Sequence, residues 1–79
     1  MRNFDLYWGL LCRLVEDDEK FLWVELSYGE AGENGPFSTV VWYTTGLDPD
    51  GVPITEKIRV SSGDLVTSMQ KAYDAAMRP

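Results

Sequence analysis

Thirteen acidic residues and no histidine set the limits on the chemistry open to this chain. Paired carboxylates can hold Mg²⁺ while a lysine stabilises an attacked phosphate, as in a metal-dependent nuclease. Here Pro49-Asp50 is followed by Glu56-Lys57 with no residue between acid and lysine, where that pattern needs one. Asp18-Glu19-Lys20 has the spacing but precedes the Pro-Asp pair. Asp48, Asp50 and Gly51 open like a calcium loop, yet an EF-hand needs glycine at its sixth position and glutamate at its twelfth. Pro53 and Arg59 stand there instead. Cys12 has no histidine to take its proton and reads as a small apolar filler. Gly29, Gly32 and Gly35 lack the following helix and lysine of a phosphate cradle. A pair of carboxylates is enough for a glycosidase, but a domain this small leaves little room for a deep pocket. Zinc sets, Cys/His dyads and Ser/His/Asp triads all need partners that are missing. The expectation is a protein that is not an enzyme and uses no metal or cofactor.

The elements that must position these residues begin with length. Seventy-nine residues, 44% of them hydrophobic and 25% charged, suit a single small α+β domain over residues 1–79. The even positions Phe4, Leu6, Trp8, Leu10, Cys12 and Leu14 alternate with other residues, a period of two that predicts a first strand over 4–14. A helical stripe of Phe4, Tyr7, Trp8, Leu11 and Leu14 competes with it, opposed by the central Gly9 and the aromatic content. Glu16-Asp17-Asp18-Glu19 reads as a solvated hairpin tip, because four adjacent carboxylates need water between them. Phe21 to Tyr28 is a second strand, with Leu22, Val24, Leu26 and Tyr28 on one face and Phe21, Trp23, Glu25 and Ser27 on the other.

Three glycines, Asn34 and Pro36 make 29–36 a loop. Phe37 to Thr45, rich in Thr, Val, Trp and Tyr, is a third strand. Asp48-Pro49-Asp50-Gly51 has the residues of a type I turn. A fourth strand follows, with Val52, Ile54, Ile58 and Val60 inward and Pro53 marking an edge. Ser61 and Asp64 have the spacing of a capping pair, and Leu65, Val66, Met69, Ala72, Tyr73, Ala76 and Met77 then recur on a helical period.

These elements predict a four-stranded antiparallel β-meander with one C-terminal α-helix packed on one face, in the order ββββα. Leu65, Met69, Tyr73 and Met77 would cover the core face. The other face would stay bare, carrying Tyr7, Leu11, Val15, Phe21 and Trp23 with Trp42 or Tyr43, more apolar surface than a monomer usually shows.

Charge is polarised: residues 1–50 hold ten acids and three bases, and residues 51–79 hold three acids and four bases. A net charge of −6 opposes direct binding to nucleic acid or to anionic membranes. The longest apolar run falls far short of the roughly 20 residues that span a bilayer. With Met1-Arg2-Asn3-Phe4-Asp5 unlike a secretory signal, the expected setting is the cytoplasm. In size, acidity and lack of catalytic motifs the whole chain resembles phage and plasmid anti-defence inhibitors, including anti-CRISPR proteins, though it shares no motif with them. That resemblance implies a nucleic-acid mimic whose carboxylates occupy the places of phosphates in a basic groove. The expected function is therefore to inhibit or modulate another protein by docking an acidic, aromatic-bearing sheet. The expected contact residues are Glu16, Asp17, Asp18, Glu19, Trp23, Glu25, Glu30 and Glu33, with Tyr7 and Trp42 beside them. The alternative is a structural homodimer or small accessory subunit whose bare sheet face pairs with itself.

Overall fold

Phe4, Tyr7, Leu11, Leu14 and Val15 fall on one side of a helix, and that stripe decides the first segment. In the computed structural model, which describes residues 2–32 and 34–78, Arg2–Asp17 is an α-helix, α1. The expected first strand is thereby overturned. Apolar residues sit at so many positions between 4 and 15 that periods of 2 and 3.6 both find a stripe, and burial selects between them. Leu11, assigned by alternation to a bare face, is 0% exposed, worth about 2 kcal/mol or more in apolar surface removed from water.

Three strands follow, β1 (Phe21–Gly32), β2 (Gly35–Leu47) and β3 (Pro53–Ser62), and a second helix, α2 (Leu65–Met77), completes the chain. The sheet is antiparallel in the order β1-β2-β3. The architecture is thus a three-stranded antiparallel sheet with an N-terminal and a C-terminal helix, in place of four strands and one helix. Both helices lie on the same face: α1 against β1 and α2, and α2 against β2 and β3. Leu11, Phe21, Val41, Met69, Ala72 and Ala76 form the buried core between the layers.

The glycine-rich stretch is not a loop. β1 runs on to Gly32, which pairs with Gly35 at the start of β2. Gly35 has φ 132°, and a Cβ there would fall on the backbone of Ser62 and Gly63, where the chain turns from β3 towards α2. The 48–51 turn forms as expected, with the Gly51 N–H donating to the Asp48 carbonyl at 2.9 Å. The cap of α2 moves three residues along. Asp64 is the N-cap, its Oδ2 accepting from the Thr67 N–H at 2.9 Å, while Ser61 belongs to β3 and meets the Ser38 hydroxyl at 3.1 Å. Met77, expected beneath the helix, lies at its far end and is 56% exposed.

A bulge in β1 resets its faces. Phe21 pairs with Tyr43 but Trp23 with Trp42, so two steps on β1 match one on β2. Phe21 consequently turns into the core together with Val24 and Leu26, while Trp23 points to the opposite face. Phe21, Tyr7, Leu11 and Val15 thus leave the predicted bare patch, three of them because α1 buries its own stripe and one because of the bulge.

One polar contact ties the layers together. Ser68 Oγ donates its single proton to the Leu65 carbonyl at 2.7 Å, so Thr39 must be the donor in the buried 2.8 Å contact between the Thr39 and Ser68 hydroxyls. Ser68→Ala should cost about 1–3 kcal/mol in urea unfolding, because it strands the Thr39 hydroxyl, whereas adding Thr39→Val should recover part of the loss. A double variant weaker than the single one would contradict this pairing. Gly35→Ala should lower stability by about 1–3 kcal/mol or more, the strain of a positive φ being joined by the clash of its Cβ with the Ser62–Gly63 backbone. A thermal midpoint equal to the parent's would show that the hairpin does not need the glycine.

Candidate functional site

The acidic run 16–19 is a helix exit and not a hairpin tip. Glu16 and Asp17 occupy the last turn of α1, where the main chain presents unpaired carbonyls and a partial negative charge. That turn carries no basic residue. Asp18 follows, its N–H donating to the Leu14 carbonyl at 3.2 Å and its Oδ1 accepting from the Lys20 N–H at 3.0 Å. All four carboxylate residues are exposed. Glu16 and Asp17 oppose the helix dipole, so folding by itself gives no reason for them, whereas the Asp18 carboxylate holds the turn that follows.

Beside this end lies an open groove of about 240 Å³, lined by Trp8, Cys12, Val15 and Glu16 of α1 and by Trp23 and Val24 of β1. Glu16 and Trp23, seven residues apart in sequence, therefore share one concavity. Trp8 was absent from the expected contact set because the strand reading sent it to the core face, and Val15, which that reading placed on the bare face with Trp23, was not carried into the set. The helical stripe through Phe4, Tyr7, Trp8, Leu11 and Leu14 was the signal that pointed to Trp8. Cys12, expected in the core, is half-buried in this groove.

Trp23 is 46% exposed and its indole N–H donates to Glu25 Oε1 at 3.0 Å. Its ring stacks on Trp42 with centroids 5.3 Å apart and an interplanar angle of 29°. Lys57 Nζ sits 5.4 Å from the Trp42 ring centroid on the next strand. Trp23, Trp42 and Lys57 are thus one row across the back of the sheet; Glu25, Val40 and Arg59 form the next, and Ser27, Ser38 and Ser61 the third. The back face is accordingly mixed in charge, with an acid on β1 and two bases on β3, and the acidic character belongs to the end of α1. The Trp42 Nε1 is buried with no hydrogen-bond partner.

Of the other expected contact residues, Tyr7 packs against the core and stands apart from the back face. Glu33, and the side chain of Glu30, lie outside the described residues. Asp48 Oδ1 accepts from the backbone N–H of Asp50 and of Val52, both at 2.9 Å, so its carboxylate closes the turn. Among the described residues no three acids or thiols gather where they could hold a metal ion. No helix among them is long and apolar enough to cross a membrane.

At the end of the sheet near α2, Lys20 Nζ stands 5.5 Å from the Phe21 ring centroid and 5.4 Å from that of Tyr43. The Tyr43 hydroxyl donates to Glu56 Oε2 at 3.2 Å. That bond, with burial and the carboxylate's negative charge adding to it, raises the Tyr43 pKa above the ordinary tyrosine value.

No family model, curated protein or solved structure matches the chain.

The neutral phenol of Tyr43 is the form the fold favours. Its contribution to stability is whole below the ordinary tyrosine pKa and disappears as pH rises through the raised value. Glu56→Ala should bring the Tyr43 ionisation down to a lower pH in an ultraviolet titration of the tyrosines. Identical titration curves for parent and variant would remove the Glu56 contact as the cause.

Proposed function

We propose that this chain is a non-catalytic, acidic protein-binding module of the cytoplasm, which modulates a partner by docking the seam between the end of α1 and β1. The observation that carries this reading is the shared groove: Glu16 and Trp23 line one concavity, with Asp17, Asp18 and Glu19 following on from its rim. Carboxylates held against a helix dipole raise the free energy of the lone protein, and a basic partner surface would relieve that cost on binding. An aliphatic side chain of the partner would enter between Trp8 and Trp23, where aromatic walls provide most of an interface's energy. The partner this chemistry recognises is a protein with a basic groove, the carboxylates taking positions that phosphates would occupy in a nucleic acid.

A peptide of alternating arginine and leucine, titrated against the protein and followed by tryptophan fluorescence, is a direct probe. Binding should weaken as salt rises, and Asp17→Lys with Asp18→Lys should raise the Kd by about tenfold or more and flatten that salt dependence. Trp23→Ala should also weaken binding but leave the salt slope unchanged. If the charge-reversed protein binds as tightly as its parent, the electrostatic basis of docking is wrong. If a peptide of arginine and serine binds equally well, the groove has no part in it.

A further inference from the structure

The outer side of α1, turned away from the core, carries a second and different pattern. Asp5, Leu6, Gly9, Leu10 and Arg13 line an open concavity of about 230 Å³ on this one helix, and none of them lines the docking groove. Leu6 is 54% exposed. Gly9 lies near the middle of a sixteen-residue helix, where glycine weakens helix formation relative to almost any other residue. A Cβ at this position would meet nothing within 4 Å. The chain's own packing therefore gives no reason for the glycine. Asp5 and Arg13 stand about 12 Å apart along the helix, too far to pair with each other.

The spacing is symmetric: an acid four residues before Gly9 and a base four residues after it. We propose that two copies of this chain associate through α1, antiparallel, about a two-fold axis passing beside Gly9. In that arrangement position 9 + n of one copy lies opposite position 9 − n of the other. Asp5 of each copy then faces Arg13 of its mate, which makes two ion pairs at once. Leu6 and Leu10 lie to one side of the contact line, and the two-fold interleaves them with Leu10 and Leu6 of the second copy. The missing side chain at position 9 lets the backbones meet at the short end of the usual interaxial range of about 8–10 Å. A parallel pairing would set Asp5 against Asp5 and Arg13 against Arg13, so the charge pattern selects the antiparallel one. Trp8 and Cys12 flank the contact line on the side opposite Leu6 and Leu10, so the dimer borders the docking groove, and its test does not depend on the partner.

Sedimentation equilibrium from micromolar to submillimolar concentration, with circular dichroism to confirm folding, decides it. The parent should dimerise reversibly and less tightly at high salt. Asp5→Arg and Arg13→Asp should each raise the dimer Kd by about tenfold or more, and the double variant carrying both should return to near the parent value, because each acid again meets a base. Gly9→Gln should raise the thermal midpoint of the monomer, through better helix propensity, while weakening the dimer. A parent that stays monomeric throughout the range overturns the proposal. So does a double variant no better than the single ones, or a Gly9→Gln protein that dimerises as the parent does.

Discussion

A sheet of three strands has one inner face, and two helices must share it. α2 lies over β2 and β3 and leaves the inner side of β1 without cover. α1 supplies that cover, and Leu11, fully buried between α2 and β1, is where the helical layer closes. The other features follow from this division. The apolar stripe of α1 has to point inward, so Tyr7, Leu14 and Val15 go into the core and the remaining sides of the helix are free to carry Trp8, Glu16, Leu6 and Gly9. In so small a chain the two-layer arrangement also explains why one face of the sheet has no helix on it.

The bulge at the start of β1 acts on the same constraint from the other layer. One additional residue lets Phe21 fill the core beside Tyr43 while Trp23 crosses to the back of the sheet. Without it, alternation would put Phe21 and Trp23 on the same side. The result is a tryptophan at the outer strand that serves two surfaces. It stacks on Trp42 across the back of the sheet, and its edge forms one wall of the groove with Trp8. The lone buried N–H of Trp42 is the one polar defect of that packing among the described residues.

Electrostatics and fold disagree at the exit of α1, where two acids share the last turn, and more mildly at Asp74 in the last turn of α2. Elsewhere local charge supports local structure: Asp64 caps α2, Asp48 closes its turn and Lys20 lies over two aromatic rings. At Glu16 and Asp17 it does not, because the acids sit on the negative end of the helix. Local conflict within an otherwise consistent chain is the usual mark of a surface kept for binding. Gly9 is a conflict of the same kind, since it weakens the helix that carries it, whereas Asp5 in the first turn of α1 agrees with the dipole.

Several features were legible in the sequence because their causes act over a few residues. The apolar stripe of α2 with an acid near its start, the Asp-Pro-Asp-Gly turn and the β-branched, aromatic run of β2 each contain their own physical reason. The acidic run and Trp23 also stood out as candidates for binding by residue type alone. The first seventeen residues did not reveal their structure, since apolar side chains at most positions satisfy a strand and a helix equally. Only the uncovered inner face of β1, assembled from residues far along the chain, chooses the helix. The bulge and the extension of the strands to Gly32 and Gly35 are likewise decided by pairing across the sheet. Tertiary structure thus determined which aromatics are buried and brought Glu16 to Trp23, because competition for one limited inner face is a property of the assembled layers and of no single segment.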